Sequence, residues 1–429
     1  MTAAPLLIDP PLAPATVART AAAPAGPAAA GDALLAVYKR QPVTFVRGQG
    51  VELFDDRGRA YLDFTSGIAV NALGYNDPGL QAALRAAVEG GLIHTSNLYR
   101  TQPGERLAQL LVERSFASRV FFCNSGAEAN EGAFKFARRW ARKRGGGAKH
   151  EIVALRGAFH GRLFGTLAAT DRPSYRMPFR PLAGGVTIVE RDLADLELLV
   201  DAETTAAVIV EPVQGEGGVR VLDAGWLRAL RQLTQERQVA LVFDEIQCGL
   251  GRTGHLFAYE RAGIEPDLLT LAKPLAGGLP MGAILMTEEI ASAVEYGDHG
   301  TTFGGGPFVA AVAEHVVERL SDVRLLARVR EDGAWLGAQL EAMAARLTTG
   351  ARPTVRAVRG TGFMWGLDVT ESAGAVVGRA LELGLLLCTA GEFTVRLLPP
   401  LVTTRDELGR GLELLEAALT GGGARGDEA

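Results

Sequence analysis

Residues 240–247 read ALVFDEIQ, and residues 268–278 read LLTLAKPLAGG. In each stretch a continuous apolar run leads to a charged residue, Asp244 in the first and Lys273 in the second. Residues 207–211, AVIVE, repeat the pattern. Unbroken apolar runs of this length are typical of strands that are buried on both faces of a parallel sheet.

Similar runs extend outward from this centre, at residues 120–123 and 152–155, and helical stretches such as 128–144 and 226–238 lie between some of them. This alternation predicts an α/β layered domain with a mainly parallel sheet. After about residue 310 the pattern changes, because helical segments at 309–320 and 329–347 precede strand-like residues 355–369 and, after another helix, 393–398. That part of the chain predicts a smaller α+β domain.

The 429 residues are more than one core usually holds, since domains average about 150 residues. We expect a large domain over residues 71–310, a small C-terminal domain over 311–420, and an N-terminal segment, 31–70, that packs with the small domain. Residues 1–30 are rich in Ala and Pro and bury too little to offset the entropy of ordering, so they are expected to form a flexible tail. Residues 421–429 are expected to be loose.

Composition excludes several classes of protein. The chain has 44 basic and 49 acidic residues, so no basic excess exists to hold nucleic acid. Cys123, Cys248 and Cys388 are too few and too scattered for a disulfide framework or a zinc site, which predicts no metal and fits a reducing compartment. No apolar run approaches the roughly 20 residues that span a membrane, and we expect a cytoplasmic protein.

The charged residues that follow the three central strands should converge, because ligands of such sheets bind beyond the carboxyl ends of the strands. A lysine beside an acid there is often a plain ion pair. A carbonyl cofactor, however, needs a lysine amine such as Lys273 to form an imine, and a pyridine nitrogen needs a carboxylate such as Asp244 to stay protonated. The three strand ends are therefore a candidate cofactor site.

Residues 124–128, NSGAE, supply a place for a phosphate, since they stand between a strand and a helix. Ser125 can cap this helix, Gly126 allows close approach, and the free amides of Gly126 and Ala127 point at an anion. By itself this stretch is more often an ordinary helix start than a phosphate site.

Longer blocks of the chain resemble the class-III aminotransferases of fold type I, and within them the acetylornithine aminotransferase branch. The matching blocks are residues 62–74, 121–131, 158–162, 211–219, 244–254, 271–273, 300–305 and 395–400. The resemblance implies pyridoxal 5'-phosphate as cofactor and a large domain with a mainly parallel seven-stranded sheet flanked by helices, plus a smaller α+β domain.

The resemblance also implies a role for each residue that contacts the cofactor. Lys273 is the catalytic Schiff-base lysine and moves the proton between substrate and cofactor. The other cofactor contacts implied are Asp244 for the pyridinium, Gln247 for the ring hydroxyl, Phe159 for the ring face, Ser125, Gly126 and Ala127 for the phosphate, and Thr302, which completes the phosphate cup from the other subunit. A homodimer with shared active sites follows from the last assignment.

Substrate binding is implied for four further residues. Arg162 clamps the α-carboxylate of the amine donor, and Arg396 does the same for glutamate or 2-oxoglutarate. Glu216 neutralises Arg396 when an ω-amine enters and swings away for the dicarboxylate, although a fixed ion pair is the plainer interpretation. Thr301 lies near the substrate. The chain departs from the family at Gly306, where Asn is usual.

The substrate stays open. The resemblance implies transfer of the ω-amino group of an Nα-blocked ornithine or lysine to 2-oxoglutarate, in arginine or lysine biosynthesis, with an acetyl group or a small acidic carrier protein as the block. Free ornithine and 4-aminobutyrate are alternatives. Ornithine and lysine differ by one methylene, which changes affinity by only about 1 to 3 kcal/mol, so use of both is also open. Residues 249–254 match the dinucleotide fingerprint G-x-G-x-x-G, a weak signal when alone. A non-enzymatic protein of the same fold is disfavoured, because Lys273 and Asp244 are both present.

Overall fold

The computed structural model describes residues 34–348 and 354–421. The predicted tail at 1–30 and nearly all of the predicted loose end at 421–429 lie outside the described residues. Residues 34–44 belong to a compact unit of their own, and among them no regular helix or strand is formed. All elements named below lie within residues 45–421.

The strands are numbered in chain order. They are β1 Phe45–Gln49, β2 Glu52–Asp55, β3 Ala60–Asp63, β4 Arg119–Cys123, β5 Glu151–Leu155, β6 Val186–Val189, β7 Thr205–Val210, β8 Val213–Gln214, β9 Arg220–Val221, β10 Ala240–Asp244, β11 Leu268–Leu271, β12 Gly282–Met286, β13 Val355–Thr361, β14 Met364–Val369, β15 Leu385–Leu386, β16 Cys388–Thr389 and β17 Thr394–Leu397.

The helices are numbered in the same way. They are α1 Ser66–Ala69, which is a single turn with left-handed backbone, α2 Pro78–Glu89, α3 Gln102–Glu113, α4 Gly126–Gly145, α5 Phe164–Ala168, α6 Pro173–Arg176, α7 Leu193–Leu199, α8 Ala224–Glu236, α9 Glu288–Ala291, α10 Pro307–Leu320, α11 Val323–Leu347, α12 Ala373–Glu382 and α13 Arg405–Thr420. Short 3-10 turns occur at Gly146–Ala148, Met177–Phe179 and Ala258–Ala262.

The central sheet has seven strands in the order β4-β12-β11-β10-β7-β5-β6. The five strands β11, β10, β7, β5 and β6 run parallel to one another. Strand β12 runs antiparallel to both β11 and β4. The prediction of a mainly parallel seven-stranded sheet is therefore confirmed. Every residue of β7, β10 and β11 is buried, as their unbroken apolar sequences predict.

Two strands of this sheet are not evident in the sequence. The first, β6, is only partly buried and has four residues, and the second, β12, begins with glycine after a Gly- and Pro-rich loop. The reasons differ: β6, with the sequence VTIV, is β-branched throughout but short and only partly buried, whereas β12, with the sequence GAILM, has a single β-branched residue.

Beyond the central sheet, β13, β14, β17 and β16 form a four-stranded antiparallel sheet. Residues 355–369, predicted as one strand-like run, are two strands. They reverse at Gly362 and Phe363, where Gly362 has a φ of +53° that suits a tight turn. The predicted helix at 329–347 begins earlier, at Val323, where Asp322 caps it by accepting a hydrogen bond from the Arg324 amide.

The N-terminal strands form a separate sheet, and β3 pairs in parallel with β15 from the C-terminal part of the chain. The domain boundaries themselves remain a prediction. Among the described residues, no helix combines the length and the apolar character that crossing a bilayer requires.

Candidate active site

The three central strands bring their terminal charged residues together. Because β11, β10 and β7 are neighbours and parallel, Lys273, Asp244 and Glu211 follow them at one edge of the sheet. A cavity of about 390 Å³ opens there. Its lining includes the predicted residues Ser125, Gly126, Ala127, Phe159, Arg162, Glu216, Asp244, Gln247 and Lys273.

The first turn of α4 forms one wall of this cavity. Ser125 caps the helix as predicted, because its hydroxyl accepts a hydrogen bond of 3.2 Å from the Glu128 amide. The next amides, those of Gly126 and Ala127, have no partner within the helix and carry its positive dipole end. A side chain at Gly126 would come within 2.8 Å of Ile246, so packing as well as ligand approach requires glycine there.

Asp244 is held by three donors at the bottom of the cavity. One carboxylate oxygen lies 2.7 Å from both His160 Nδ1 and Asn130 Nδ2, and the other accepts from the Ile246 amide at 3.1 Å. Asn130 is itself fixed, since its own side-chain oxygen accepts from the Thr270 hydroxyl at 2.7 Å. The orientation of Asp244 is thus set by groups from α4, β11 and the loop after β5.

Glu211 joins two loops that line the cavity. Its carboxylate accepts hydrogen bonds from the Phe159 amide at 2.9 Å and the Gly215 amide at 3.1 Å. Burial raises the pKa of Glu211, while the nearby His160 and the two amides oppose that change. The residue therefore anchors the ring-stacking candidate Phe159 and the β8–β9 hairpin to the sheet.

Lys273 is half-buried at the cavity, and the charged residues Glu216, Asp244 and Arg396 are close enough to affect its pKa. Burial lowers the pKa of its amine from the ordinary value, and the negative charges of Glu216 and Asp244 offset this only in part. A lowered pKa favours the neutral amine, which is the form that attacks a carbonyl.

Arg396 extends from β17 and is almost completely buried, with 1% of its side chain exposed. Its Nη1 donates to Glu216 Oε1 at 2.6 Å and to Gln247 Oε1 at 2.9 Å, and its Nε lies 3.3 Å from Cys388 Sγ. Burial alone would raise the pKa of Glu216, but the charge and hydrogen bonds of Arg396 leave it lowered. The predicted pairing of Glu216 with Arg396 is present.

Arg162 lies at the opposite side of the cavity and is exposed. Its guanidinium carbon stands 3.6 Å from the ring centroid of Tyr175 and 5.8 Å from that of Phe159. Stacking on an aromatic face orients a guanidinium while leaving its edge free to bind a carboxylate.

The chain on its own does not bring Thr301 and Thr302 to this cavity. Both line a second depression on the described surface, beside the exposed side chains of Leu98 and Tyr99. Thr301 is nevertheless linked to the end of β4, because its hydroxyl accepts from Asn124 Nδ2 at 3.2 Å.

No role was assigned from the sequence to two polar residues of the site, His160 and Asn130. A signal for Asn130 existed, because it lies among alanines on a helix face that proves to be buried. His160 stands within a quoted block, but its contact with Asp244 joins residues 84 positions apart. Spacing along the chain does not reveal such a contact.

The model of the aminotransferase class-III family matches residues 35–419. This chain belongs to that family. The aminotransferase is 44% identical over 388 residues to acetylornithine aminotransferase of Methanocaldococcus jannaschii, an alignment that covers 90% of this chain and 96% of the relative.

Solved structures agree with the fold. The ornithine aminotransferase of Toxoplasma gondii superposes with a TM-score of 0.85 at 29% identity, covering 91% of this aminotransferase and 93% of that chain. The N-acetylornithine aminotransferase of Stenotrophomonas maltophilia gives a TM-score of 0.77 at 36% identity, covering 90% and 97%. The fold is thus that of fold type I, and the aminotransferase is a pyridoxal-phosphate-dependent transaminase.

The cavity suits this cofactor on the evidence of its own groups. It is lined by a helix N-terminus that suits a phosphate, a fixed carboxylate that suits a ring nitrogen, and the half-buried Lys273. His160 Nε2 is buried and has no hydrogen-bond partner among the described residues, so the side chain is held through Nδ1 alone. A volume of about 390 Å³ is within the usual range for small-molecule sites.

Proposed function

We propose that the enzyme transfers the terminal amino group of N-acetylornithine to 2-oxoglutarate, giving a semialdehyde and glutamate. The proposal extends to other Nα-blocked ornithine or lysine donors, and it places the enzyme in arginine biosynthesis, in the cytoplasm. The choice of substrate is supported by identities of 44% to the acetylornithine aminotransferase of Methanocaldococcus jannaschii and 46% to the mitochondrial acetylornithine aminotransferase of Alnus glutinosa.

One observation carries the preference for a blocked α-nitrogen. Three carboxylates line the described cavity, and each already has partners. Glu211 binds two backbone amides, Glu216 pairs with Arg396, and Asp244 binds His160 and Asn130. A free α-ammonium group would find no unengaged carboxylate among them, and a charge without a partner is costly in such a site. An acetylated nitrogen has no such requirement.

When bound, pyridoxal phosphate supplies a carbonyl that condenses with the amine and a ring that withdraws electrons. The chain supplies the rest. Lys273, whose pKa is lowered by burial, takes the proton from the substrate carbon and returns it. Asp244, fixed by its three donors, would keep a proton on the ring nitrogen of the bound cofactor, and Phe159 would pack against the ring.

The two substrates use the cavity in turn. Arg162, exposed and stacked on Tyr175, receives the carboxylate of the amine donor. During that half-reaction Glu216 neutralises Arg396 at 2.6 Å. Glutamate or 2-oxoglutarate then displaces Glu216, whose side chain is 27% exposed and has room to leave, and places its second carboxylate on Arg396.

A homodimer with shared sites is part of the proposal. Thr302 and the exposed Leu98 and Tyr99 border one depression, and the exposed Phe303 follows Thr302 in the chain. Exposed apolar side chains of this kind suit a second copy of the chain. In that assembly Thr302 would contribute to the phosphate site of the partner.

Hybrid dimers test this assignment. A dimer of one Lys273→Ala chain and one Thr302→Ala chain contains one intact site if Thr302 serves the partner, and we expect its activity at limiting cofactor to exceed that of both parents. Activity no greater than the mean of the parents would place Thr302 in its own chain's site or in neither.

Ornithine is the second candidate donor, because the Toxoplasma gondii ornithine aminotransferase superposes with a TM-score of 0.85. A lysine linked to a small acidic carrier protein is a third form of donor, also blocked at the α-nitrogen.

Steady-state kcat/KM values for N-acetylornithine, N-acetyl-lysine, ornithine and 4-aminobutyrate decide between blocked and free donors. We expect the two blocked amines to exceed the two free ones by about tenfold or more, since about 1.4 kcal/mol changes a rate tenfold. Preference for ornithine would contradict the proposal.

A further inference from the structure

The β8–β9 hairpin carries Glu216 at its tip, and two arginines from outside the hairpin donate hydrogen bonds to its backbone. Arg172 donates to the carbonyl oxygen of Glu216 itself, and Arg359 binds two residues further along. Arg359, on β13, donates from Nε to the carbonyl oxygen of Gly218 at 2.6 Å. Gly218 has a φ of +101°, and a side chain there would come within 3.1 Å of Arg359 Nη2 and 3.3 Å of Thr394 Oγ1. The backbone next to Glu216 is thus fitted closely against Arg359.

The same guanidinium also reaches the strand that carries Arg396. Its two terminal nitrogens bind Asp368 in a bidentate pair, each at 2.6 Å, and Nη2 lies 3.3 Å from the Thr394 hydroxyl. Thr394 in turn donates to Asp368 at 2.5 Å and stands two residues before Arg396 on β17. Burial would raise the pKa of Asp368, but the bonds from Arg359 and Thr394 leave it lowered, as expected for a firmly held carboxylate.

We infer that Arg359 is a positioning residue for substrate exchange, because it fixes the distance between the hairpin of Glu216 and the strand of Arg396. This inference rests on the proposed function of Glu216 as a displaceable partner of Arg396. Arg359 is not among the residues that line the described cavity, and it acts through the backbone of Gly218 and through Thr394.

The consequence is a matter of effective concentration. A carboxylate on a stiff support meets its partner more often than one on a loose support, so the pair resists displacement more strongly. When Arg359 is lost, the hairpin gains freedom and Glu216 competes less well for Arg396. A dicarboxylate should then bind more tightly, whereas the ω-amine, which needs Arg396 neutralised, should react less well.

The test uses the cofactor-loaded enzyme and glutarate, a dicarboxylate that has no amino group and cannot react. Calorimetry gives its dissociation constant for the wild type and for Arg359→Gln. We expect roughly three- to tenfold tighter binding in the variant, the change that loss of one hydrogen bond produces. The KM for N-acetylornithine should rise, with the affinity for pyridoxal phosphate unchanged.

Repeating the Arg359→Gln measurement in a Glu216→Gln variant shows whether Arg359 acts through Glu216. If Arg359 acts through Glu216, Arg359→Gln has little further effect on glutarate binding once Glu216 is replaced. An unchanged or weaker affinity in Arg359→Gln, or the same gain in the Glu216→Gln background, would overturn the inference. If Glu216→Gln alone does not change the affinity for glutarate, the proposed displacement of Glu216 by a dicarboxylate is refuted instead.

Two further variants guard against a general disturbance of the fold. Arg356→Gln alters an exposed arginine three residues away on the same strand, and it should leave glutarate binding at the wild-type value. Thr394→Val keeps the size of the side chain but removes the hydroxyl shared by Arg359 and Asp368, and it should tighten glutarate binding to a smaller extent. Equal effects from Arg356→Gln and Arg359→Gln would also contradict the inference.

Discussion

The two ends of the cavity are built differently. At the ring end, Asp244 is buried and bonded to His160, Asn130 and a backbone amide, and every partner comes from the central sheet or the elements packed on it. At the carboxylate end, Glu216 lies on the β8–β9 hairpin and pairs with Arg396. The side chain of Glu216 is 27% exposed. One end is fixed by several bonds, whereas the other depends on a pair that a substrate can replace.

This difference matches the two demands of transamination. The cofactor must keep one orientation through both half-reactions, so its partners gain from being preorganised. The substrates differ in length and charge, so the groups that bind them must exchange partners. Changes at the ring end should therefore affect both half-reactions alike, and changes at the carboxylate end should affect one.

The largest effect is expected for Lys273→Ala. Without this amine neither half-reaction has its proton carrier, and turnover should fall by roughly a thousandfold or more, while the helix start at Gly126 and Ala127 still binds the cofactor phosphate. Lys149→Ala, a control at a buried lysine bonded to the Ala202 carbonyl, should keep the activity. Normal turnover of Lys273→Ala in stopped-flow assays of each half-reaction would remove Lys273 from its role.

Asp244→Asn tests the fixed end. The neutral amide cannot hold a charged ring nitrogen, so both half-reactions should slow by a similar factor, about a hundredfold, and cofactor affinity should fall. Rates are measured with N-acetylornithine and with glutamate separately. A loss confined to one substrate would break the distinction between the two ends.

The central strands, and with them the positions of Glu211, Asp244 and Lys273, were predictable because buried parallel strands have an unbroken apolar signature. The hairpin of Glu216 was not, since β8 and β9 have two residues each and owe their position to contacts such as that of Arg359 with Gly218. The hydrogen-bond partners of Asp244 could not be predicted either, because Asn130 and His160 come from distant segments of the chain. The turn at Gly362 shows a further limit, as strand-forming residues occur on both sides of it and the run appears continuous in the sequence.

Arg162→Ala tests the exchangeable end. The kcat/KM for N-acetylornithine should fall roughly ten- to hundredfold, because charge-assisted hydrogen bonds to its carboxylate are lost. The reaction with glutamate should fall less, since Arg396 still holds its second carboxylate. The opposite ranking, seen by comparing kcat/KM for the two donors, would exchange the roles of the two arginines.

The smallest effect is expected at Gly306, which does not line the cavity of its own chain and to which no role is assigned. This residue precedes α10 in an extended conformation, with φ −51° and ψ 140°, and provides no side-chain cap. Gly306→Asn should stabilise the fold by a few tenths of a kcal/mol through a cap on the helix start. Chemical denaturation measures the gain in the free energy of unfolding, and kcat/KM should not change. A loss of stability would mean that the close contact between the new Cβ and the Phe303 carbonyl oxygen, at 3.2 Å, outweighs the cap.

The central claim is that this aminotransferase moves the terminal amine of a blocked diamino acid through a fixed cofactor end and an exchangeable carboxylate end. The direct measurement is to mix the cofactor-loaded enzyme with N-acetylornithine alone and to follow the visible absorbance of the cofactor. We predict that the band disappears and that 2-oxoglutarate, added afterwards, restores it. A band that persists with N-acetylornithine but disappears with ornithine or 4-aminobutyrate would contradict the proposed substrate, and the absence of any such band after addition of pyridoxal phosphate would contradict the mechanism.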